Sequence, residues 1–332
     1  MKLATLPEGG PDGRLILVSA DGERWLPANG VAATLQAALE AWSRSEAALR
    51  RLGERLEAGR GEPLEGVVLA SPLPRAWQWL DGSAFASHGA LMQTAFKLPP
   101  IETTLPLMYQ GMSHQFLGPS DDVPLPSEAD GIDFEGEFGV ITDAVPMGVS
   151  VRDARDHIKL VVLINDWSLR VLAPVEMKTG FGWVQAKPAC SMGPLAVTPD
   201  ALGAAWRDCR VHLDLLVDWN GKRFGAANGG AMAFGFDELI AHAARTRTLP
   251  AGTIIGSGTV SNNNFREVGS SCIAERRGLE ILDFGEAKTA FMRFGERVRM
   301  EARLPGGQSV FGAIDQAVVS AHSHSGIHPP GR

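Results

Sequence analysis

Two glutamates that flank a glycine are the first residues whose types and spacing could do chemistry. They belong to the segment Asp133-Phe134-Glu135-Gly136-Glu137, in which acidic residues occupy every second position. Residues two apart in a β-strand point to the same face of the sheet. Carboxylates on one face repel each other unless water solvates them or a cation neutralises them. The pattern therefore fits either the solvated outer face of an edge strand or a site for a hard divalent cation.

Three further segments contain residues that could complete such a site. Asp166 lies just after the apolar run 160–164, at a strand end, where ligand sites are common. Asp81 and His88 combine a candidate ligand with a candidate general base. Residues 256–260, Gly-Ser-Gly-Thr-Val, match neither a P-loop nor a dinucleotide fingerprint, but their backbone N–H groups could bind a carboxylate. The simpler alternatives are an aspartate that begins a turn and a packed or surface histidine.

The elements that must position these residues are mostly β-strands. Apolar alternation and apolar runs predict strands at 14–19, 132–141, 159–165, 252–261, 278–283 and 297–303. Residues 160–164 read as a strand buried on both faces. Asn220-Gly221 predicts the turn of a hairpin, Ser150 with Asp153 predicts a capped short helix, and residues 33–57 predict an amphipathic helix.

Glycines and prolines between residues 59 and 75 indicate a domain boundary. We therefore expect a small N-terminal domain over residues 1–72 and a larger domain over residues 73–319. The polar, histidine-containing tail, residues 320–332, is expected to be disordered.

Composition and charge argue against several classes of protein. The 332 residues carry a net charge of −7 with no basic stripe, so a nucleic-acid partner is not expected. No apolar run of about 18 residues occurs, which argues against a membrane span. The N-terminus lacks the apolar run of a signal peptide. Cys190, Cys209 and Cys272 fit neither a disulfide framework nor a zinc spacing, and predict reduced thiols in a cytoplasmic protein.

Seven segments, taken in order and spacing over about residues 73–318, resemble the fumarylacetoacetate hydrolase family. They are Asp81 with His88, residues 106–111, residues 133–137, residues 165–170, Lys187 with the Gly193-Pro194 pair that follows it, residues 257–259, and Glu275. The resemblance implies a fold that is mainly β with some α. It implies the mixed β-sandwich roll of that family, preceded by a small SH3-like N-terminal domain of strands and a helix.

The resemblance also implies a role for each matching position. One Mg²⁺ or Ca²⁺ would be bound by four carboxylates: Asp81, Glu135, Glu137 and Asp166. His88 would activate water, Glu275 would hold and polarise His88, and Lys187 would stabilise developing negative charge. The substrate-binding positions would be Ser83, Lys97, Tyr109, Gly258 and Thr259.

Three positions depart from the family pattern. Ser83 stands where the eukaryotic enzymes have a substrate-contacting tyrosine, and Ala173 stands where the family places a glutamine. Lys97 replaces an arginine, which gives a point charge in place of a planar fork. These departures concern the identity of the substrate more than the class of reaction.

The implied activity is metal-dependent hydrolysis of the carbon–carbon bond of a β-diketo acid, first of all fumarylacetoacetate to fumarate and acetoacetate. The N-terminal domain favours this substrate over three alternatives from the same family: an acylpyruvate hydrolase, an oxaloacetate decarboxylase and an enol isomerase. A non-catalytic metal-binding or assembly protein would not need His88, Lys187 and Glu275. The expected partners are a small diketo acid and a second copy of the chain in a homodimer.

Overall fold

Strands dominate the structure, a computed structural model that describes residues 1–97, 99 and 103–324. In chain order they are β1 (Lys2–Leu6), β2 (Arg14–Val18), β3 (Arg24–Pro27), β4 (Glu62–Pro63), β5 (Trp79–Gly82), β6 (Met108–Gly111), β7 (Phe116–Leu117), β8 (Val123–Leu125), β9 (Ile132–Asp133), β10 (Gly136–Thr142), β11 (Ile158–Asn165), β12 (Ser168–Leu169), β13 (Cys190–Met192), β14 (Ala196–Val197), β15 (Trp206–Arg207), β16 (Arg210–Val211), β17 (Asp214–Trp219), β18 (Lys222–Asn228), β19 (Ile254–Gly256), β20 (Arg297–Arg303) and β21 (Ser309–Ser320).

Helical segments connect the strands. The α-helices of the described residues are α1 (Leu35–Glu40), α2 (Trp42–Glu57), α3 (Ala86–Phe96), α4 (Val151–Ala154), α5 (Ala173–Thr179), α6 (Phe236–Ala243), α7 (Phe265–Val268) and α8 (Ile273–Phe284). None of the helices in the described part of the chain is long and apolar enough to cross a membrane.

Two large sheets carry the architecture. Twelve strands form the first sheet in the order β4-β3-β2-β1-β14-β11-β10-β19-β5-β6, with β13 paired to β11 and to β7. Five strands form the second in the order β18-β17-β20-β21-β8. The strands β9 and β12 make a separate antiparallel pair, as do β15 and β16. The prediction of a mainly β fold with some α is confirmed.

The strand β11 shows why the apolar run has no alternation. Leu160 and Val162 belong to the core that packs under α1 and α2, whereas Val161 and Leu163 belong to the other core. That second core lies between the two large sheets, where the ring centroids of Phe138 on β10 and Phe311 on β21 are 5.9 Å apart. A strand covered on both faces has no polar side, so its sequence reads as continuously apolar.

The N-terminal strands extend the same sheet that carries the candidate site. Antiparallel pairing joins β1 to β14, with Lys2 opposite Val197 and Leu3 opposite Ala196. The strands β1 to β4 then follow one another as an antiparallel meander at this end of the sheet. The boundary near residue 72 stays a prediction.

Several local predictions are confirmed and others are wrong. The hairpin of β17 and β18 turns at Asn220 and Gly221, whose φ angles are 50° and 73°. Ser150 caps α4 by accepting a hydrogen bond from the Asp153 amide. The helix expected over 33–57 is interrupted at Ala41, and the strand expected over 252–261 is confined to β19.

The strand expected over 278–283 is wrong, because these residues lie in α8. The buried positions of this helix include Ile273, Ala274, Gly278 and Leu279, which recur at helical spacing. The six residues 278–283 are too few to separate helical spacing from the alternation of a strand. The cap residue Cys272, which marks the start of the helix, lies outside them. The strand β21 ends at Ser320 and a 3₁₀ turn follows to His324, and the tail from residue 325 lies outside the described residues.

Candidate active site

Asp81 lies near the end of β5 and is held by the glycine-rich stretch. Gly256 on β19 is its parallel partner, and a Cβ atom on Gly256 would approach Asp81 Oδ1 to 2.3 Å. The amide of Gly258, a residue with a φ of +76°, donates a hydrogen bond of 3.0 Å to Asp81 Oδ1. The backbone of this stretch thus binds a carboxylate, but the carboxylate is that of Asp81. Contact between Gly258 and a substrate stays a prediction.

The acidic segment 133–137 is not one continuous strand. The strand β9 ends at Asp133 and β10 begins at Gly136, with Phe134 and Glu135 between them. Asp133, Glu135 and Glu137 are all buried, so the interpretation as a solvated outer face is wrong. A Cβ atom on Gly136 would lie 2.8 Å from Leu215, so this glycine permits close packing against β17.

Three buried carboxylates from separate strands and loops converge on one point. Asp81, Glu137 and Asp166 each offer a carboxylate oxygen, and these oxygens lie within 4.8 Å of one another. Burial and the neighbouring carboxylates raise the pKa values of Asp81 and Glu137 well above their ordinary range. Neither oxygen of Glu137 accepts a hydrogen bond from the described residues. A buried all-oxygen set with an unsatisfied carboxylate fits a hard divalent cation.

Glu135, the fourth predicted ligand, lies beside this cluster and is paired with two cations. Lys187 Nζ donates to Glu135 Oε2 at 2.6 Å, and Arg170 Nη2 donates to Glu135 Oε1 at 2.5 Å. Burial would raise the pKa of Glu135, but Arg170 and Lys187 hold it well below its ordinary value. In this structure Glu135 is therefore a charged neighbour of the three-carboxylate cluster.

Lys187 is buried, with 8% of its surface exposed, and its ammonium faces the cluster. Besides Glu135, Lys187 Nζ donates to Asp166 Oδ2 at 2.5 Å and to Ser168 Oγ at 2.8 Å. Burial alone would lower the pKa of Lys187, but Asp166 and Glu135 raise it above its ordinary value. The lysine therefore carries a fixed positive charge beside the three carboxylates.

Asp166 has two further partners, Tyr109 and Cys190. The Tyr109 hydroxyl donates to Asp166 Oδ2 at 2.6 Å, and the Cys190 thiol donates to Asp166 Oδ1 at 3.0 Å. Burial, reinforced by the Asp166 charge, raises the pKa values of both groups. The Tyr109 ring meets Trp183 edge-on at 4.7 Å, and Lys187 Nζ lies 5.8 Å from the Trp183 ring centroid.

His88 and Glu275 form a separate pair. His88 lies in the first turn of α3, Glu275 is the third residue of α8, and His88 Nδ1 lies 3.3 Å from Glu275 Oε1. The Glu275 side chain is fully buried, whereas 18% of the His88 side chain is exposed. If Nδ1–H donates to Glu275, the ring nitrogen Nε2 has a lone pair that can accept a proton.

The remaining predicted residues do not join these two groups of contacts. Ser83 is exposed, and Lys97 is exposed at the end of α3 with a φ of 52°. Thr259 is buried next to Gly258. For none of the three side chains does the described part of the chain show a hydrogen bond or ion pair with the carboxylate cluster, so their substrate contacts stay predictions.

Sequence reasoning assigned no role to three residues that the structure places here. In the sequence, Arg170 appears only as part of a motif, Cys190 only as a reduced thiol, and no pattern points to Trp183. Arg170 lies four residues after Asp166, and Cys190 lies three residues after Lys187. These short spacings indicate that both residues lie near the site, once Asp166 and Lys187 are assigned to it.

Comparison with known families agrees with this arrangement. The sequence profile described as "Fumarylacetoacetate (FAA) hydrolase C-terminal" matches residues 78–319. The chain belongs to the fumarylacetoacetate hydrolase family. A second profile, "Fumarylacetoacetase N-terminal domain 2", matches residues 1–75.

Curated relatives of this family member differ in their named activities. A 2,4-didehydro-3-deoxy-L-rhamnonate hydrolase of Sphingomonas sp. is 32% identical over 48% of this chain and 54% of its own length. The mitochondrial oxaloacetate tautomerase fahd2 of Xenopus laevis is 28% identical over 46% of this chain and 47% of its own length. The chain thus spans about half the length of the curated relatives that it matches.

Solved structures match along almost the whole chain. Maleylpyruvate hydrolase from Sphingobium sp. SYK-6, in complex with manganese(II) and pyruvate, covers 96% of this chain and 99% of its own, with a TM-score of 0.66 and 20% identity. Fumarylacetoacetate hydrolase from Exiguobacterium antarcticum covers the same shares with a TM-score of 0.67 and 16% identity. These likenesses confirm the expected fold of the family.

Proposed function

We propose that the chain is a divalent-metal-dependent hydrolase that cleaves the carbon–carbon bond of a small β-diketo acid, with fumarylacetoacetate as the first substrate to test. The observation that supports the proposal is the joint burial of three carboxylates, of which Asp166 alone is paired with a cation, Lys187, among the described residues. The separate His88–Glu275 pair supplies a base. A scaffold protein needs the carboxylates but neither the lysine nor the pair.

The metal would be held by Asp81, Glu137 and Asp166, with Glu135 as the fourth carboxylate. Mg²⁺ and Ca²⁺ both suit this donor set, since both prefer carboxylate oxygens. When bound, such an ion polarises the carbonyl oxygens of a 1,3-dicarbonyl acid and stabilises negative charge on them.

The side chains of the protein would carry the proton transfers and the charge. His88 would take a proton from the attacking water at Nε2, while Glu275 would orient the ring and stabilise the imidazolium. Lys187 would stabilise the oxyanion that forms and then the enolate that leaves. Tyr109, Gly258 and Thr259 would contact the substrate carboxylates, and Ser83 and Lys97 would face the more variable end of the substrate.

A tautomerase or decarboxylase is the second candidate, because one relative is named as an oxaloacetate tautomerase. Enol–keto exchange and decarboxylation need the metal and Lys187 but no attacking water. Hydrolysis depends on His88 and Glu275, so the effect of removing the base distinguishes the two classes.

The test is turnover by the purified full chain loaded with Mg²⁺ or Mn²⁺. The panel is fumarylacetoacetate, acetylpyruvate, 2,4-didehydro-3-deoxy-L-rhamnonate and oxaloacetate, with products identified by NMR. We expect hydrolysis of at least one diketo acid, its loss with EDTA, and its loss in His88→Ala. Enol–keto exchange without cleavage would favour the tautomerase, and no turnover of any of the four compounds would refute the proposed function.

A homodimer is a further proposal that rests on the family resemblance. The segment 171–184 carries exposed apolar side chains, among them Val175 at 67%, Phe181 at 97% and Val184 at 84%. A cluster of this kind is typical of a surface that another protein covers. Light scattering of the purified chain tests the proposal, and a monomer at micromolar concentration would refute it.

A further inference from the structure

Asp133 is a buried carboxylate that the proposed mechanism does not use. It precedes Glu135 by two residues, yet it is not a member of the three-carboxylate cluster. Its oxygens instead accept hydrogen bonds from the first two amides of α8. Ile273 N–H donates to Oδ1 at 2.7 Å, and Ala274 N–H donates to Oδ2 at 2.9 Å. Amides in the first turn of a helix have no partner within the helix, and a negative charge beside them is favourable.

The cap residue of α8 cannot replace Asp133. Cys272 accepts a hydrogen bond only from the Glu275 amide, at 3.3 Å, and the sulfur of a thiol is a weak acceptor. The amides of Ile273 and Ala274 are buried at this point, so without Asp133 they would be unsatisfied. The position of the first turn therefore depends on the Asp133 carboxylate.

Arg170 connects Asp133 to the other half of the site. Its guanidinium donates to Asp133 Oδ2 through Nε at 2.8 Å and to Glu135 Oε1 through Nη2. Glu135 in turn accepts from Lys187. A continuous series of charged hydrogen bonds thus runs from Lys187 to the start of α8, and the third residue of that helix is Glu275.

We propose that Asp133 is a positioning residue that holds the first turn of α8, and with it the Glu275–His88 pair, in register with Glu135 and Lys187 through Arg170. The catalytic part of this inference rests on the proposed function. The effect is geometric: a displacement of about 1 Å in a catalytic group can lower a rate by about 10²-fold. Asp133 touches neither substrate nor metal in this scheme.

The change that isolates the role is Asp133→Asn. Three donors point at the two oxygens of Asp133, namely two helix amides and Arg170 Nε. Asparagine offers one oxygen and one NH₂ group, so at least one of the donors would face another donor. We expect the first turn of α8 to shift, while the three-carboxylate cluster keeps its ligands.

A matched control is available in α6. Asp237 is also buried, lies in the first turn of its helix, and accepts from Arg155 Nε at 2.8 Å and from the Glu238 amide at 3.0 Å. The change Asp237→Asn is chemically identical but lies outside the series of contacts that leads to Lys187. It controls for the general cost of losing a buried, arginine-paired carboxylate.

Two measurements on the metal-loaded full chain test the proposal. Hydrogen exchange of the peptide over 270–277 should be about 10-fold faster in Asp133→Asn than in wild type, and unchanged in Asp237→Asn. On the best diketo acid of the panel, Asp133→Asn should lose about 10–100-fold in kcat, with Mn²⁺ affinity within threefold. In a Glu275→Gln background the same change should cost less than threefold, because the group that it positions is already impaired.

Three outcomes would overturn the inference. The first is unchanged exchange over 270–277 in Asp133→Asn. The second is an equal loss of kcat in both backgrounds, which would assign Asp133 to general stability. The third is a loss of Mn²⁺ affinity as large as the loss of kcat, which would assign it to the metal cluster.

The two proposals fail in distinguishable ways. If wild type turns over none of the panel, the proposed function fails, and the exchange measurement alone decides the positioning role. If Asp133→Asn does not fold, Arg170→Lys provides the same test, because a lysine cannot donate in a fixed fork to both Asp133 and Glu135. Faster exchange at α8 in that variant would support the inference, and unchanged exchange would refute it.

Discussion

Replacing Lys187 with methionine separates a catalytic lysine from one that only neutralises charge. Methionine keeps much of the volume of the stem and removes the ammonium, which donates to Glu135, Asp166 and Ser168. Removing one partner of a buried ion pair typically costs about 3–5 kcal/mol. Glu135 keeps Arg170, and Asp166 keeps Tyr109 as a donor, so we expect the lower end, about 3 kcal/mol of unfolding free energy in the metal-free protein.

The kinetic effect should be of similar size but separate origin. Loss of a donor that stabilises an oxyanion costs about 3 kcal/mol in the activation free energy, which corresponds to about 150-fold in kcat. Metal affinity should not fall, because the change removes a positive charge beside the carboxylates that would bind the cation. In the metal-loaded protein the stability loss should shrink, since a bound cation compensates the same carboxylates.

The assay is steady-state turnover of the best diketo acid, with metal content measured in the same sample and urea unfolding with and without Mg²⁺. Lys159→Met is the matched control, because Lys159 is largely buried and pairs with Asp143 at 3.1 Å at the far end of β11. It should leave kcat unchanged. A kcat for Lys187→Met within threefold of wild type, with metal still bound, would show that the ammonium does not stabilise the reaction and would refute this part of the mechanism.

Three further predictions follow from the same site. Stripping the metal with EDTA should lower both activity and the melting temperature, because the clustered carboxylates then repel each other. Adding Mg²⁺ should restore both, and full activity in the stripped protein would contradict the metal requirement. His88→Ala should lower kcat by about 10²–10⁴-fold with little effect on metal affinity, and Glu275→Gln should lower kcat by a smaller factor. Steady-state kinetics measures kcat and calorimetry measures metal affinity; a nearly normal kcat for His88→Ala would exclude its role as the base. Gly256→Ala would place a Cβ atom 2.3 Å from Asp81 Oδ1, so calorimetry should show weaker metal binding than in wild type, and unchanged affinity would mean that Asp81 is not a ligand.

The sequence by itself determined the fold class and the segments that form the site. The double-sided apolar run of β11, the Asn220-Gly221 turn and the order of the seven motifs all depend on local spacing, which a single chain displays directly. The resemblance also implied that Lys187 would stabilise negative charge, but its contacts with Glu135 and Asp166 were found only in the folded chain.

Only the tertiary structure decided which partner each of the acidic side chains contacts. Alternation placed Asp133, Glu135 and Glu137 on one face, but the break between β9 and β10 sends each carboxylate to a different partner. Asp133 binds the start of α8, Glu135 binds Lys187 and Arg170, and Glu137 joins the three-carboxylate cluster. These partners come from segments distant in the chain, so no local pattern encodes the pairing.

The same reason explains another element beside the site that the sequence misassigned. Residues 278–283 fit a strand when taken alone, but they belong to the helix that begins at Ile273 and carries Glu275. The first two amides of α8 donate hydrogen bonds to Asp133, which lies more than a hundred residues earlier in the chain. A short window of sequence contains the helix residues but not the carboxylate that fixes where the helix begins, and that contact exists only once the chain has folded.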